Sequence, residues 1–381
     1  MATKKNIRVS VLALTLPVSI STFGAGLSLS QIGTAKSVAT AGVASVTTRG
    51  DSAASVLNPA GIASISDTAW QVGIQVIDVR ADFDNNFGSA SSSETLPVPH
   101  ISYAKRINSD IVLGGAIHAP GGLGLTYENG FWGVGNRAVI DKTEIALVDA
   151  TFAVGYEVNE NLVVGIGLIA RYGAMKLDLF QQGQLSKELS DGDIAPAFNL
   201  GLQYQNPQGW TLGLSYRSGS KHALDFGSSP SVPEEIRWPQ IVDAGFDIPL
   251  TLYTSLMASV NWQDWSETGD GFGYNYEDTY GFGLAIEHHY QDWVLMTGVS
   301  FDSSPIESPL DRTLDLPLDK QWRLGLGAEK QIWGDKYIGI AYQYSDLGSA
   351  EVERPSTGSG YLVRGSFSQN YAHFIALSLR Y

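Results

Sequence analysis

From about residue 68 to its C-terminus, the chain alternates large apolar residues with small or polar ones. That period of two belongs to strands with two unlike faces. Between positions 210 and 217, Trp210, Leu212, Leu214 and Tyr216 share one parity, while Thr211, Gly213, Ser215 and Arg217 take the other. Phe198, Leu200, Leu202 and Tyr204 alternate with Asn199, Gly201, Gln203 and Gln205, and Ile375, Leu377, Leu379 and Tyr381 repeat the scheme at the end. A soluble sandwich also alternates, but it buries its large residues and turns Lys and Glu to water. Here the second face is Gly, Ser, Asn and Gln, as suits a polar lumen inside a lipid-facing wall. The expected fold is all-β: a transmembrane antiparallel β-barrel of about fourteen strands over residues 68–381.

The connections support closure. Fourteen candidate strands are separated by six tight turns, such as Asn108 and Gly334-Asp335, and seven long polar loops, among them Asp84–Glu94 and Gly348–Gly365. Short turns on one side and long loops on the other are the barrel pattern. Trp210, Trp293 and Trp333 beside short turns, and Trp238, Trp262 and Trp265 near long ones, are expected to form two interfacial girdles. Tyr381 closes the last strand with an outward aromatic residue, where such barrels more often end on Phe.

At the N-terminus, Lys4, Lys5 and Arg8 precede an apolar stretch, Val9–Ile20, that is too short to span a bilayer as a helix. Small residues follow, and Thr22 and Gly24 suit the positions before a cleavage site. Residues 1–24 are therefore expected to be an export signal cut before Ala25. Residues 25–67, rich in Ala, Gly, Ser and Thr and without a convincing strand, are expected to plug a lumen that fourteen strands leave wide. Zero Cys excludes disulfides and thiolate metal sites. A net charge of −15 without any basic block argues against nucleic-acid binding, and a mean hydropathy of −0.02 is too polar for a helical membrane protein.

With these residues in place, the chain resembles the FadL/TodX family of outer-membrane transporters for long-chain fatty acids and other hydrophobic compounds. The likeness rests on Ala25-Gly26-Leu27, Asn58-Pro59-Ala60, Val98–Tyr103 with Arg106–Asp110, Gly213–Ser218, Gly298–Pro305 and Asp311–Thr313, in the family's order. It implies an outer-membrane location, an N-terminal hatch carrying Asn58, Pro59, Ala60 and Gly61, and a kinked third strand at Pro120, Gly121 and Gly122 that the hatch residues Asn58–Ala60 touch. It also implies uptake by lumen binding, hatch movement and sideways exit. The partners implied are the hydrophobic cargo, fatty acid or aromatic hydrocarbon, and the lipid and lipopolysaccharide around a monomeric barrel. No cofactor or metal is expected.

At the fifth-strand position where the family places a basic residue for a carboxylate, this chain has Ala174. Arg171, facing the lumen, and Lys176, on the other parity, are the candidate replacements; an inward Arg also suits a lumen charge network. Fatty acid is thus less strongly indicated than hydrophobic cargo in general. Adjacent His288 and His289 point to opposite sides and make a poor metal pair. Gly122-Leu123-Gly124 lacks the surroundings of a dinucleotide loop. A general porin, an adhesin or phage-receptor barrel, and a barrel-embedded lipase are the alternative readings; for the last, no histidine is placed to serve a serine.

Overall fold

Fourteen antiparallel strands, among the described residues, close into a ring. A computed structural model of the chain describes residues 31–85, 88–127, 132–133, 137–138, 142–181, 184–226, 235–314, 316–355 and 362–381. The expected signal (1–24) and the first plug residues (25–30) lie outside the described residues. The wall strands are β1 (Thr68–Asn85), β2 (Gly88–Arg106), β3 (Ile111–His118, resuming at Gly122–Thr126), β4 (Lys142–Glu157), β5 (Leu162–Gln181), β6 (Gln184–Gln205) and β7 (Thr211–Arg217). They continue as β8 (Ile241–Pro249), β9 (Thr254–Gln263), β10 (Thr279–Tyr290), β11 (Trp293–Asp302), β12 (Gln321–Trp333), β13 (Lys336–Asp346) and β14 (Leu362–Arg380). β1 pairs with β14 from Gln71↔Arg380 to Asn85↔Gly365. Trp70 and Tyr381 exchange both backbone hydrogen bonds at 2.9 Å, so the last residue seals the seam.

The two faces separate as the alternation requires. Leu168, Ile194, Leu214, Phe282, Leu324 and Ile340 are exposed on the outer wall, whereas Gln71, His100, Asp149, Asn199, Gln203 and Gln343 are buried inside. No helix among the described residues is long and apolar enough to cross a membrane. Because β1 pairs with β14, neither terminal strand is left as an edge facing hydrocarbon.

Several of the expected loops are ordered strands. Asp84–Glu94 is not an irregular loop: β1 and β2 pair continuously out to Asn85↔Gly88. Within 348–365, Glu351–Pro355 pairs with β14. Above the membrane both faces of a hairpin meet water, so polar residues do not interrupt pairing there and composition reads falsely as loop. Ahead of β8, Glu235–Trp238 pairs with Ser220–Ala223 in a separate hairpin that is not part of the wall.

Inside the ring lies the N-terminal segment. Its first helical turn, Ala35–Ala39, starts at Thr34, whose hydroxyl accepts from the Ser37 N–H. A 3-10 turn (Val43–Val46), a second helical turn (Ala54–Leu57) and a 3-10 stretch (Pro59–Ser64) follow. The chain reverses between the first two at Ala41 and Gly42, both with positive φ. Residues 31–67 were expected to lack regular structure; each turn is too short to show a helical period in sequence.

Candidate functional site

The plug is wired to the wall around most of the circumference. Gln203 donates to the Val46 and Thr48 carbonyls at 2.9 and 3.0 Å, and Asn199 to the Ser55 carbonyl at 3.2 Å. Arg217 donates to the Val56 carbonyl at 3.2 Å, Ser300 to the Ala41 carbonyl at 3.1 Å, and Arg106 to the Ile65 carbonyl at 2.7 Å. Lys36 pairs with Glu287 at 2.8 Å. Between these polar contacts, inward glycines let plug backbone approach wall backbone. A Cβ at Gly165 would collide with the Pro59 carbonyl carbon and the Ala60 nitrogen, and one at Gly213 with the Val46 carbonyl.

Asn58 is fully buried at the centre of this arrangement. Its side-chain amide donates to the Val46 carbonyl at 2.8 Å and, at longer range, to the Leu214 and Leu202 carbonyls at 3.3 and 3.4 Å. Its oxygen accepts the Ala60 N–H at 3.2 Å and caps the 3-10 stretch that Pro59 begins. Gly61 follows inside that stretch, where a Cβ would strike the Thr48 carbonyl. Asn58, Pro59 and Ala60 lie against β5, β6 and β7, through Gly165, Gly201 and the Leu202 and Leu214 carbonyls. The plug meets β3 through Ser55 and Ile62, which crowd Gly114, and through Val56 and Leu57, which share an apolar cluster with Ala116.

β3 is broken at Ala119-Pro120-Gly121. Pairing with β4 runs from Ile111↔Tyr156 to His118↔Asp149 and resumes at Gly122↔Ala146. Residues 119–121 thus stand opposite only 147 and 148, which is a bulge of one residue. The Asp110 carbonyl accepts from the Glu157 N–H, so even-numbered residues of β3 address β4. Pro120 offers no donor on that side, and the ladder fails there.

On its other side β3 parts from β2. The β2–β3 ladder runs only from Arg106↔Val112 to Ile101↔Ile117, and the next bridge is Ser92↔Tyr127. Ser93 to His100 have no partner on β3, a gap of about 25 Å along the strand at ~3.3 Å per residue. Its inner rim is apolar: Val98, Leu125 and Tyr127 belong to one buried cluster with Ala35 and Val38 of the plug and with Leu314 and Val352 of the outer loops. At its lower end His100 and His118 face each other, ring centroids 6.3 Å apart. His100 contacts Ser102 at 3.2 Å, and Ser102 contacts Ser52 of the plug at 2.8 Å, which links plug and gap.

Arg171 points into the lumen, as its parity requires, and is fully committed. Its Nε and Nη2 donate to the two Asp149 oxygens, each at 2.8 Å, and Nη1 to Ser220 at 3.3 Å. Ser220 also contacts His222 at 3.0 Å. The guanidinium is 1% exposed and forms a charge network with Asp149. Lys176 lies on the outer parity and pairs with Glu188 at 3.1 Å. Each of the two candidate cations is thus already paired with a carboxylate of the chain itself.

Over the mouth of the barrel, Ile145 and Leu147 of β4, Met175 and Leu177 of β5 and Leu189 of β6 pack with Trp238, Trp265, Ile306 and Leu318 of the connections. Trp238 and Trp265 were expected in the outer girdle; both are buried here, ring centroids 6.4 Å apart. The girdle residue at that end which the sequence reading passed over is Trp322, half exposed beside Phe301. Helix Trp265–Phe272 holds Trp265 in place. Its cap, Asp264, is drawn toward a higher pKa by burial, but hydrogen bonds from Gln240, Ser266 and the Glu267 N–H leave its carboxyl below the ordinary Asp range.

Residues 15–381 match the family described as outer membrane protein transport protein (OMPP1/FadL/TodX). The chain belongs to that family. Among curated relatives, the long-chain fatty acid transport proteins of Salmonella typhi and Escherichia coli K12 are each 23% identical, over 388 and 396 residues, with 83% of this chain and 87% of each relative covered. Among solved structures, a Pseudomonas aeruginosa FadL homologue superposes with a TM-score of 0.78 at 16% identity, covering 95% of this chain and 99% of its own. The Pseudomonas putida toluene transporter TodX gives 0.68 at 15% identity, with 94% and 99% covered. This FadL/TodX-family barrel is an outer-membrane transport protein, and its relatives are transporters, not enzymes.

Sequence reading missed the polar residues that hold the plug, Asn199, Gln203, Arg217 and Ser300. All four have inward parity, and a scan for polar residues on the inward face would have picked them out. Ser52, His100 and His118 carry no comparable signal, because only the fold brings them together.

Proposed function

We propose that the protein takes up long-chain fatty acids or other hydrophobic compounds, aromatic hydrocarbons included, across the outer membrane. Cargo lands on the apolar surface at the mouth, passes into the lumen, shifts the plug and leaves sideways through the gap between β2 and β3. The unpaired stretch Ser93–His100 carries this reading, because a wall meant only to enclose water would keep its ladder closed. Each methylene gains about 0.8 kcal/mol on leaving water. An apolar rim running from Leu314 past Leu125 to Val98 offers such cargo a dry way into the bilayer. With Arg171 neutralised by Asp149, selection rests on apolar surface, and a carboxylate is tolerated without being required. Pairing of β1 with β14 leaves neither terminal strand free to recruit a second copy, which supports a monomer embedded in lipid and lipopolysaccharide.

The test is uptake of labelled oleate and of labelled toluene by cells with and without the gene. Loss of either on deletion, restored by complementation, is expected. Unchanged uptake of both refutes transport of hydrophobic cargo.

A further inference from the structure

We propose that Pro97 and Pro99 are the positioning residues that keep the wall gap open, by removing the two N–H donors through which β2 would otherwise zip onto β3. The proposal rests on reading the gap as the exit, and its test separates the two.

The direction of every backbone group on β2 follows from two hydrogen bonds. The Ile107 N–H donates to the Ile111 carbonyl at 2.9 Å, toward β3, and the Arg106 N–H to the Asp67 carbonyl at 2.7 Å, toward β1. Consecutive residues of an antiparallel strand address alternate neighbours. Even-numbered residues of β2 therefore serve the β1 ladder, which runs unbroken through Ile77↔Leu96, Gln75↔Val98 and Gly73↔His100. Odd-numbered residues address β3. Pro97 and Pro99 are both odd. In the register set by Ile101↔Ile117, they would face Gly121 and Ala119, the residues flanking Pro120.

Their placement has no other physical account in the structure. Both rings are exposed on the outer wall and pack in none of the buried clusters. A proline one position away, at Val98, would break the β1 seam; at these two positions it costs the wall nothing. An extended edge with unmet donors beside a second strand is a template for pairing, and edge prolines are how sheets prevent it. At the far end of the gap pairing is restored by Ser92, whose hydroxyl accepts the Thr126 N–H at 3.1 Å. The kink in β3 thus opens the wall, and the prolines of β2 stop it from healing.

The test is the double variant Pro97→Val/Pro99→Val, which keeps apolar outward side chains and restores both donors. Two ladder hydrogen bonds, each worth about a factor of five, shift the open–closed balance about 25-fold toward closed. Expected are a fall in oleate and toluene uptake relative to wild type and new protection of backbone amides in 95–100 and 119–124 by hydrogen exchange. The barrel's heat-dependent gel mobility should be unchanged. Protection with undiminished uptake upholds the proposal and removes the gap as the exit. A folded variant without added protection overturns the proposal, whatever its uptake. If the double variant does not assemble, Pro99→Val alone carries the test, with about a fivefold shift expected.

Discussion

Asn58→Ala probes how firmly the plug is seated. The Asn58 amide satisfies the Val46 carbonyl, but Gln203 donates to that carbonyl as well, so the acceptor keeps a partner when Asn58 is shortened. The Ala60 N–H does not: its acceptor is Asn58 Oδ1, and it is buried. The variant therefore loses one good hydrogen bond and two long ones, and strands one buried donor. Such a loss costs about 2 kcal/mol. With every 1.4 kcal/mol a factor of ten, local opening of 58–64 should become about 30-fold more frequent. Native-state hydrogen exchange of the purified barrel in detergent reads this at Ala60 and Gly61, with the β1–β14 seam amides as an internal reference. Exchange at Ala60 unchanged from wild type, with the seam intact, refutes the view that Asn58 anchors the plug. Acceleration everywhere would mean that the barrel itself was damaged.

Three further outcomes follow from the same contacts. Gly165→Val should unseat the 3-10 stretch, because its Cβ would meet Pro59 and Ala60 backbone; protease cutting within 50–66 should rise while the wall stays resistant. Gly122→Val should stiffen the kinked segment of β3 and slow hydrophobic uptake in a folded barrel, and unchanged uptake counts against the kink as part of the exit. The stability that Asp264 gives to helix Trp265–Phe272 is full above the ordinary Asp pKa of 3.8 and is lost as pH falls through its lower folded value. Trp265 fluorescence should therefore shift on acidification in wild type and be already shifted at neutral pH in Asp264→Ala.

The wall was legible because parity is a local property: Trp210 to Arg217 declares both faces without knowledge of any neighbour. The same parity placed Arg171 inside and Lys176 outside. What Arg171 does there depends on Asp149, one strand away and invisible to local reading. The plug was harder. Its turns span four to six residues, and the surfaces that receive Asn58 and Pro59 lie more than a hundred positions away, at Gly165, Gly201 and Leu214. The resemblance supplied the hatch and the kink, but the wall surfaces that the motif meets on β5 to β7 are visible only in the fold. Trp238 and Trp265 were misplaced because a tryptophan near a loop reads alike whether it meets lipid or closes an apolar cluster.

The path of the cargo is the central claim, and photo-crosslinking tests it most directly. A long-chain acid bearing a photoreactive group at its tail, applied to cells and activated during uptake, should leave adducts on Thr95, Val98, Ala119 and Leu125, the two rims of the gap. Adducts confined to the plug face and the short turns, with both rims clean, would mean that cargo leaves along the barrel axis and that the gap is not its exit.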